Sequence, residues 1–515
     1  MRKYLCAGLL FLSLQAKTQI LDSSAIDLVA ERARLSFNVP GMAVAVIKDG
    51  KIVHAKGYGV RSLNTGRPVD ENTLFGIASN TKAFTAFALG ILVDEGKISW
   101  DDKVRAWIPE FKMYSPYVTE EFTIRDLLTH RSGLGLGAGD LMFFPDSSDF
   151  GLKDILYNLQ FLKPVSGFRT KFDYDNNLYI VAGEVVKRAS GKSWEDFVET
   201  RIIYPVGMHK TATSFDRLKD TSDIIDGHAE VEGKVRVIAR SRSKVDHPAG
   251  GIYSSIADLS KWVELLLNQG FLDPDSARIF SQSVQKEIWS PQTIIRNGEP
   301  GEYHTHFKAY GLGFFLEDLN GYKEISHTGG LEGMVTQIVM FPELRLGIIV
   351  LTNQQEPGAF IAVSNQIRDG YLGSARKDWV TLMAGENNQY KASGKKISDS
   401  IRFEIQKAQV HSAKINFGIY AGTYRDPWLG EITISIKNGK YRFTSKRSPK
   451  LSGEMFPYRE NSFVVRWNDR SMDADAFVIF RLNENGQAEG MTMKAVSPLT
   501  DFSYDFQDLD FNKSP

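Results

Sequence analysis

Segments with the pattern of β-strands stand at both ends of the first 370 or so residues, and helical patterns lie between them. Residues 42–48 and 51–58 predict two strands joined by a hairpin turn at Asp49-Gly50. Further strands are predicted at 311–317, 334–341 and 345–352. This order favours one antiparallel sheet built from both ends of the segment, flanked by helices, with a helical insertion between its two parts.

The last hundred residues follow a different pattern. At 515 residues the chain exceeds one ordinary hydrophobic core, so more than one domain is expected. Residues 377–416 are polar and weakly periodic, which predicts a linker that has room for a helix. Alternating strands around Asn438-Gly439 then predict a small all-β, barrel-like domain. The expected division is 17–376 for the large domain, 377–416 for the linker and 417–515 for the barrel.

The first sixteen residues have the form of a signal peptide. Arg2 and Lys3 precede a short apolar run, and Ala16 is a small residue at the predicted cut, although the cleavage point stays open. The alternative is a buried N-terminal helix, since the run is too short to span a bilayer. We therefore expect export to the periplasm or the medium and no integral membrane span. Cys6, the only cysteine, lies in this segment, so the mature chain would have no disulfide and no thiol nucleophile.

Charge and motif content exclude several classes of function. Lys plus Arg and Asp plus Glu both number 62, so no overall field attracts nucleic acid. His304 and His306 have no obvious third ligand, and the zinc-protease motif His-Glu-x-x-His does not occur. The Gly-x-Ser-x-Gly motif of ordinary α/β-hydrolases does not occur either. We expect no metal, no cofactor and no nucleic-acid partner.

Ser79 and Lys82 stand three residues apart at the head of an otherwise apolar helical segment that ends near Val93. The spacing Ser-x-x-Lys is weak evidence alone, because it begins at five positions: Ser79, Ser241, Ser283, Ser374 and Ser393. At Ser79 the context is distinctive, since Lys82 shares a helix face with Ala86 and Leu89, a stripe expected to be buried.

Two interpretations of this pair are open from the residues alone. In the first, Lys82 extends to solvent and Ser79 is merely the N-cap of the helix. In the second, burial and the helix dipole hold Lys82 neutral, which takes about 4 kcal/mol of differential environment to lower its pKa from about 10.4 to 7 or 8. A neutral amine one turn from a hydroxyl can accept its proton, and the Ser79 N–H would face a developing oxyanion.

Two later segments carry groups that would complete such a site. The first contains Tyr174-Asp175-Asn176, and the second contains His327-Thr328-Gly329 followed by Gly330. Taken singly, the first is typical of a polar loop before a helix and the second of a strand that runs into a turn.

In this order and spacing the three elements resemble the serine β-lactamase and penicillin-binding protein superfamily over about residues 20–375. The branch that looks most similar contains class C β-lactamases, D-aminopeptidases and related esterases, in which the second motif begins with tyrosine. Residues 123–134 and 249–254 are also similar to segments of that family.

The resemblance implies catalytic roles for three residues. Ser79 would attack a carbonyl and become acylated, while Lys82 and Tyr174 would move the proton to the leaving group and later activate water. Which of the two is the general base is left open. A phenolate at Tyr174 would need a charged Lys82 beside it, so the two proposals exclude each other in protonation.

The resemblance also implies a binding role for five residues. Asn176 would hold the substrate amide. The strand that carries His327, Thr328 and Gly329 would line the cleft, with the Gly330 N–H opposite the Ser79 N–H as an oxyanion hole.

His327 departs from the class C pattern, which has lysine at this position. A histidine is charged only below about pH 6.5 unless its pKa is shifted. It is therefore poorly suited to bind a substrate carboxylate, and this favours peptides or esters over efficient β-lactam hydrolysis.

Together these features predict an exported serine hydrolase that cleaves amide bonds in small peptides containing D-amino acids. The alternatives are a carboxylesterase or weak β-lactamase of the same fold, and a penicillin-binding or sensor protein that acylates without turnover. The tail is similar to a lipocalin-like barrel appended to some peptidases of this group. Its role would be stabilising or oligomerising, or one of its loops would reach the cleft and limit substrate size.

Overall fold

The computed structural model describes residues 20–272, 278–374, 377–410 and 416–515. The predicted signal peptide, residues 1–16, lies outside these ranges. The helices are α1 (Ser23–Ser36), α2 (Thr81–Asp94), α3 (Val104–Trp107), α4 (Pro116–Glu121), α5 (Ile124–Leu127), α6 (Leu152–Asn158), α7 (Asn177–Ser190), α8 (Trp194–Val198), α9 (His247–Gly250), α10 (Ile256–Leu267), α11 (Gln282–Ile288), α12 (Pro357–Leu372) and α13 (Trp379–Val410).

The strands fall into a large sheet with two short pairs and, later in the chain, a barrel. The former are β1 (Gly41–Lys48), β2 (Lys51–Gly59), β3 (Phe75–Gly76), β4 (His228–Val231), β5 (Lys234–Val237), β6 (Tyr253–Ser254), β7 (Thr293–Ile295), β8 (Lys308–Tyr310), β9 (Phe315–Leu319), β10 (Tyr322–Leu331), β11 (Met334–Phe341) and β12 (Leu346–Thr352). The latter are β13 (Gly422–Asp426), β14 (Gly430–Lys437), β15 (Lys440–Ser445), β16 (Ser452–Arg459), β17 (Ser462–Trp467), β18 (Ala476–Leu482), β19 (Ala488–Ala495) and β20 (Asp510–Lys513).

The large sheet joins the two ends of its domain. Its eight strands run in the order β2-β1-β12-β11-β10-β9-β8-β7, with every neighbouring pair antiparallel. The predicted hairpin joins β1 to β2, and both Asp49 and Gly50 have the positive φ that such a two-residue turn needs. β1 also pairs with β12, so that Met42 lies opposite Thr352. The predicted antiparallel sheet, flanked by helices and built from both ends, is confirmed.

Helices cover both faces of this sheet. On one face the odd-numbered apolar residues of β1, such as Ala43 and Ala45, join the core that contains α2 and α10. On the other face Val44 and Val46 pack in the core that contains α1 and α12. Alternate side chains of a strand point to opposite faces, so a wholly apolar β1 is what a sheet covered on both sides requires.

Helix α2 is buried from Thr81 to Leu92. Phe84 stacks on Trp262 of α10 with ring centroids 4.3 Å apart, and Phe87 meets the same indole edge-on at 5.4 Å. A helix that is apolar on all sides belongs inside a domain. Its start is consequently fixed in position by packing on every side.

One predicted strand was shifted. Residues 311–314 form a turn, in which Gly311 N donates to Phe314 O at 2.8 Å and Gly313 has φ +83°, and the strand β9 begins only at Phe315. The turn places Gly313 against the backbone of Lys82, where an added Cβ would come within 2.9 Å of the Lys82 carbonyl oxygen. Close approach to helix α2 therefore explains why the strand starts late.

The C-terminal strands β13–β20 form a closed eight-stranded barrel, which confirms the predicted small all-β, barrel-like domain. The predicted linker at 377–416 is mostly the 32-residue helix α13. Ile401 and Ile405 of this helix pack against Val464 of the barrel. The boundaries proposed for the domains stay a prediction. In the parts of the chain that the structure describes, no helix combines the length and the hydropathy needed to cross a bilayer.

Candidate active site

Ser79 lies in a short 3₁₀ turn, Ala78–Asn80, between β3 and α2. Ala78 has φ +48°, a left-handed conformation that non-glycine residues seldom adopt and that often marks functional turns. Thr336 of β11 holds this turn, because its Oγ1 donates to Ile77 O at 3.0 Å and accepts from Asn80 Nδ2 at 2.9 Å. The N-cap of α2 is Asn80, so the interpretation of Ser79 as a mere N-cap is wrong.

The Lys82 ammonium nitrogen is surrounded by three hydrogen-bond partners. Nζ lies 2.7 Å from Asn176 Oδ1, 3.0 Å from Ala249 O and 3.1 Å from Ser79 Oγ. The side chain has no exposed surface, so the interpretation in which Lys82 extends to solvent is wrong.

These partners determine what a neutral Lys82 can do. Asn176 Oδ1 and Ala249 O are oxygens that only accept, whereas the Ser79 hydroxyl can donate as well. A neutral amine has two N–H groups and one lone pair. Its two N–H groups satisfy Asn176 and Ala249, and its lone pair is then left for the Ser79 O–H. This is the geometry of a general base beside its nucleophile.

Burial lowers the pKa of Lys82 to about 7. The carboxyl groups of Asp140, Asp246 and Asp175 oppose this shift, because a nearby negative charge favours the ammonium form. Lys82 therefore changes charge near neutral pH, and it is a base for a substantial fraction of the time.

Tyr174 lies next to the same amine but stays protonated. Lys82 Nζ is 4.9 Å from the centre of its ring. Burial holds the pKa of the Tyr174 phenol well above its usual value of 10, and a hydrogen bond with Ser79 opposes that shift only in part. Of the two residues expected to move the proton, Lys82 is thus the one whose pKa suits proton acceptance near pH 7, while Tyr174 is suited to donate.

Asn176 has both ends of its amide engaged within the protein. Oδ1 accepts from Lys82, and Nδ2 donates to Asp140 Oδ2 at 2.8 Å. The structure thus brings Asn176 to the site, although its expected role of holding a substrate amide stays a prediction.

His327 is fixed as a neutral ring. Its Nδ1 lies 2.6 Å from the Thr328 carbonyl oxygen, which can only accept, so Nδ1 carries the proton. Its Nε2 lies 2.9 Å from the Tyr310 hydroxyl and is left to accept from it. Burial, reinforced by the charge of Lys82, lowers the pKa of His327 to about 3. His327 therefore offers no positive charge to a substrate at neutral pH.

The two glycines after Thr328 differ in what surrounds them. A Cβ on Gly329 would lie 2.3 Å from Ile77 O and 3.0 Å from Ala78 Cβ, so β10 packs directly on the turn that carries Ser79. A Cβ on Gly330 would meet no atom within 4 Å. Gly330 and Thr328 line the same cavity as Ser79, which is where their expected binding roles require them.

The cavity at Ser79 has a volume of about 320 Å³ and is lined largely by aromatic side chains: Phe143, Phe144, Phe172, Tyr174, Phe315 and Phe502. Two carboxyl side chains, Asp246 and Asp501, also face it. Within the described part of the chain, no lysine or arginine lines it. Asp501, Phe502 and Ser503 come from the loop between β19 and β20, so the barrel domain forms part of the wall.

Four residues near Ser79 carried no predicted role. Asp140 binds Asn176, Tyr310 binds His327, and His130 packs against the Tyr174 ring with centroids 4.1 Å apart. Ser503 of the barrel donates to Asp140 Oδ2 at 2.9 Å. Only His130 lay in a segment that had been singled out, at 123–134. The other contacts join residues far apart in sequence, which no local pattern reveals.

No metal or cofactor site accompanies these residues. Across the ranges that the structure covers, His, Cys, Asp and Glu side chains nowhere form a group of three that would hold an ion.

Comparisons with known proteins match both parts of the chain. The family model described as Beta-lactamase matches residues 27–370. A model described as a domain of unknown function, DUF3471, matches residues 406–513.

Relatives of similar length are hydrolases by name. Unguisins hydrolase ungD' of Aspergillus campestris is 27% identical over 468 residues, which cover 87% of this chain and 85% of that protein. Unguisins hydrolase ungD of Aspergillus violaceofuscus is 28% identical over 411 residues, covering 72% of this chain and 70% of that protein. Protein flp of Staphylococcus aureus is 28% identical over 333 residues, covering 64% and 62%.

A solved structure resembles nearly the whole chain. It is the octameric penicillin-binding protein homologue from Pyrococcus abyssi, with a TM-score of 0.61 over 96% of this chain and all of that one. At 19% identity this likeness shows the fold alone.

Proposed function

The chain belongs to the beta-lactamase family and is a serine hydrolase, and from this premise we propose that it cleaves amide bonds in small peptides through an acyl-enzyme on Ser79. One observation carries the proposal. The Lys82 amine has two acceptors for its N–H groups, so its lone pair is directed to the Ser79 hydroxyl at 3.1 Å.

The proposed reaction has two halves. Lys82 accepts the Ser79 proton as Oγ attacks the carbonyl carbon, and the backbone N–H groups of Ser79 and Gly330 receive the oxyanion. The proton then passes to the leaving amine, with Tyr174 as the donor nearest the nucleophile. Water, activated by the again neutral Lys82, releases the acid and restores Ser79.

The walls of the cavity favour uncharged or amine-bearing substrates over carboxylates. His327 is neutral, Asp246 and Asp501 face the same space, and no lining residue that the structure describes is a lysine or arginine. A carboxylate placed there would lack a charged partner and would meet like charge. We therefore place peptides first, esters second and β-lactams third among the substrate classes, and D-amino acids in the peptide rest on the family resemblance.

The test is the intact mass of the wild type and of Ser79→Ala during exposure to D-alanyl peptides, aryl esters and β-lactams. We expect an adduct on the wild type that decays with turnover of peptides, and none on Ser79→Ala. An adduct that forms and persists with every compound would identify a non-turnover penicillin-binding or sensor protein instead. An adduct on both proteins would remove Ser79 from the mechanism.

Export and self-association are further parts of the proposal. Export rests on the sequence pattern of residues 1–16, and the mass of the protein recovered from its native host shows whether they have been removed. Self-association through the barrel is supported by the octameric state stated for the Pyrococcus abyssi homologue. Light scattering of the purified chain measures it.

A further inference from the structure

Asp140 is a fully buried acid that the reaction described above does not use. It follows Gly139, whose φ of +78° begins a short turn that runs from Asp140 to Met142. Its Oδ2 accepts two hydrogen bonds, from Asn176 Nδ2 at 2.8 Å and from Ser503 Oγ at 2.9 Å. Its Oδ1 has no partner among the described residues. Oδ2 is therefore an acceptor whether the carboxyl is ionised or carries its proton on Oδ1.

The barrel domain holds this turn from its other side. Ser503 and Asp505 both belong to the loop between β19 and β20. The Asp505 carboxylate accepts from Gly139 N at 2.6 Å and from Leu141 N at 3.2 Å, the two residues that flank Asp140. Three hydrogen bonds from one barrel loop thus fix both the backbone and the carboxyl group of Asp140.

The position of Asp140 determines which end of the Asn176 amide faces Lys82. An amide side chain can turn by 180°, and it would then present its NH₂ group to the Lys82 amine. Asp140 Oδ2 needs a donor from Asn176, so the NH₂ group turns to Asp140 and Oδ1 turns to Lys82 Nζ at 2.7 Å. With that acceptor in place, an N–H of Lys82 is occupied and its lone pair is directed to Ser79.

We propose that the barrel loop is part of the catalytic apparatus: Ser503 and Asp505 fix Asp140, and Asp140 orients Asn176 so that Lys82 faces Ser79. This proposal rests on the proposed function of Ser79 as nucleophile. Asp140, Ser503 and Asp505 are positioning residues, because they act through Asn176 and Lys82. We call the four residues Ser503, Asp140, Asn176 and Lys82 the relay.

Asp140 variants separate an acceptor from a charge. Asp140→Leu keeps the approximate size but removes the acceptor, whereas Asp140→Asn keeps an oxygen at Oδ2 and places its NH₂ group at the unpartnered Oδ1. With p-nitrophenyl acetate on the full chain, we expect the acylation rate constant to fall at least about tenfold in Asp140→Leu and to stay within about threefold in Asp140→Asn. The dissociation constant of the ester should not change in either. Equal losses in the two variants would overturn the relay.

Ser503 variants test the relay from the barrel side. Ser503→Ala removes one donor to Asp140 and should slow acylation by about threefold to tenfold, while Ser503→Thr restores the hydroxyl and the rate. Ser435→Ala, on the barrel strand β14, is the matched control and should behave as the wild type. Ser503 also lines the cavity, so a weaker affinity for the ester with an unchanged acylation rate would show a substrate contact and overturn the proposal.

The double variant Ser503→Ala with Asp140→Leu completes the test. Residues that act through one another are not additive, so the double variant should be no slower than Asp140→Leu alone. Fully additive losses would overturn the relay. If Asp140→Leu loses its native circular dichroism spectrum, the Ser503→Ala and Ser503→Thr pair decides the question. A wild type that is never acylated on Ser79 would refute the proposed function, whereas an acylated wild type with unaffected variants refutes the relay alone.

Discussion

The reactivity of the Ser79 hydroxyl depends on the protonation of one buried amine. Lys82 has no exposed surface, and its three partners are arranged so that only the neutral form can accept a proton from Ser79. A lysine in water would be almost wholly protonated at pH 7, since its usual pKa is about 10.4. Burial is therefore what makes this residue a base.

The rate of acylation should consequently rise with pH through neutrality. The pKa of Lys82 is lowered to about 7, so the neutral fraction increases from pH 6 to pH 8 and then levels off. The measurement is the rate of p-nitrophenol release from p-nitrophenyl acetate in the first turnover, between pH 5 and pH 9. A rate that is constant over this range, or one that rises only near pH 10, would contradict the role given to Lys82.

His327→Lys should change which substrates are preferred more than it changes the chemistry. The wild-type ring is neutral because its pKa is about 3, so the variant introduces a cation where the cavity has none. We expect the ratio of kcat/KM for a peptide with a free carboxylate to that for a neutral aryl ester to rise by about tenfold. His327→Gln, a neutral replacement, is the control. Equal losses on the two substrates in His327→Lys would refute this expectation.

At the residue scale, the sequence could predict the groups whose signals are local. Ser79 and Lys82 lie one helical turn apart on an apolar stripe, so both their proximity and the burial of Lys82 follow from helix geometry. The neutral state of His327 could not be predicted, because it depends on Tyr310 and on the surrounding packing. Asp140 was missed for a similar reason, since its partner Ser503 is 363 positions away.

The contact between strand β10 and the turn that carries Ser79 sets the width of the site. Gly329 lies against that turn so closely that any side chain would strike the Ile77 carbonyl or Thr336 Oγ1, at 2.3 and 2.6 Å. Both of these atoms belong to the hydrogen-bonded support of the turn. The strand and the turn must therefore move apart if the glycine is replaced.

Gly329→Ala should lower both the melting temperature and the rate of Ser79 acylation. We expect a destabilisation of about 1–3 kcal/mol, the usual range for overpacking, and a fall in acylation of about tenfold or more. Gly330→Ala is the matched control, because its Cβ meets open space, and its melting temperature should stay at the wild-type value. The same melting temperature in both variants would show that β10 has more freedom than its packing suggests.

At the element scale, the strongest local signals were sufficient and the weak ones were not. The Asp49-Gly50 turn and the strands at 334–341 and 345–352 were predicted nearly to the residue, because hairpin chemistry and apolar runs are local. Helix α13 was expected only as an option within a linker. Its sequence is polar, and what stabilises it is packing, such as Gly394 against Leu499 and Ile401 against the barrel.

At the scale of the whole molecule, the barrel and the large domain meet over the active site. Phe502 lines the cavity at Ser79, and its ring meets the Tyr174 ring edge-on at 5.8 Å. Gly137, with φ +71°, makes room for it, since an added Cβ would lie 2.7 Å from the Phe502 carbonyl oxygen. The expectation that a barrel loop limits substrate size gains support from this placement. Only the assembled fold could show which loop is involved.

Phe502→Ala should widen the site and favour larger substrates. The ring fills part of a cavity of about 320 Å³, so its removal gives space to a bulky acyl group while a small one loses only a contact with Tyr174. We expect the ratio of kcat/KM for a p-nitrophenyl ester with a bulky aromatic acyl group to that for p-nitrophenyl acetate to rise by about tenfold. Ile479→Ala is the matched control, because that barrel residue is 42% exposed, as Phe502 is 41%, and does not line the cavity at Ser79. Using the ratio removes any general loss of activity, and a ratio that stays at the wild-type value in Phe502→Ala would show that the barrel loop does not limit substrate size.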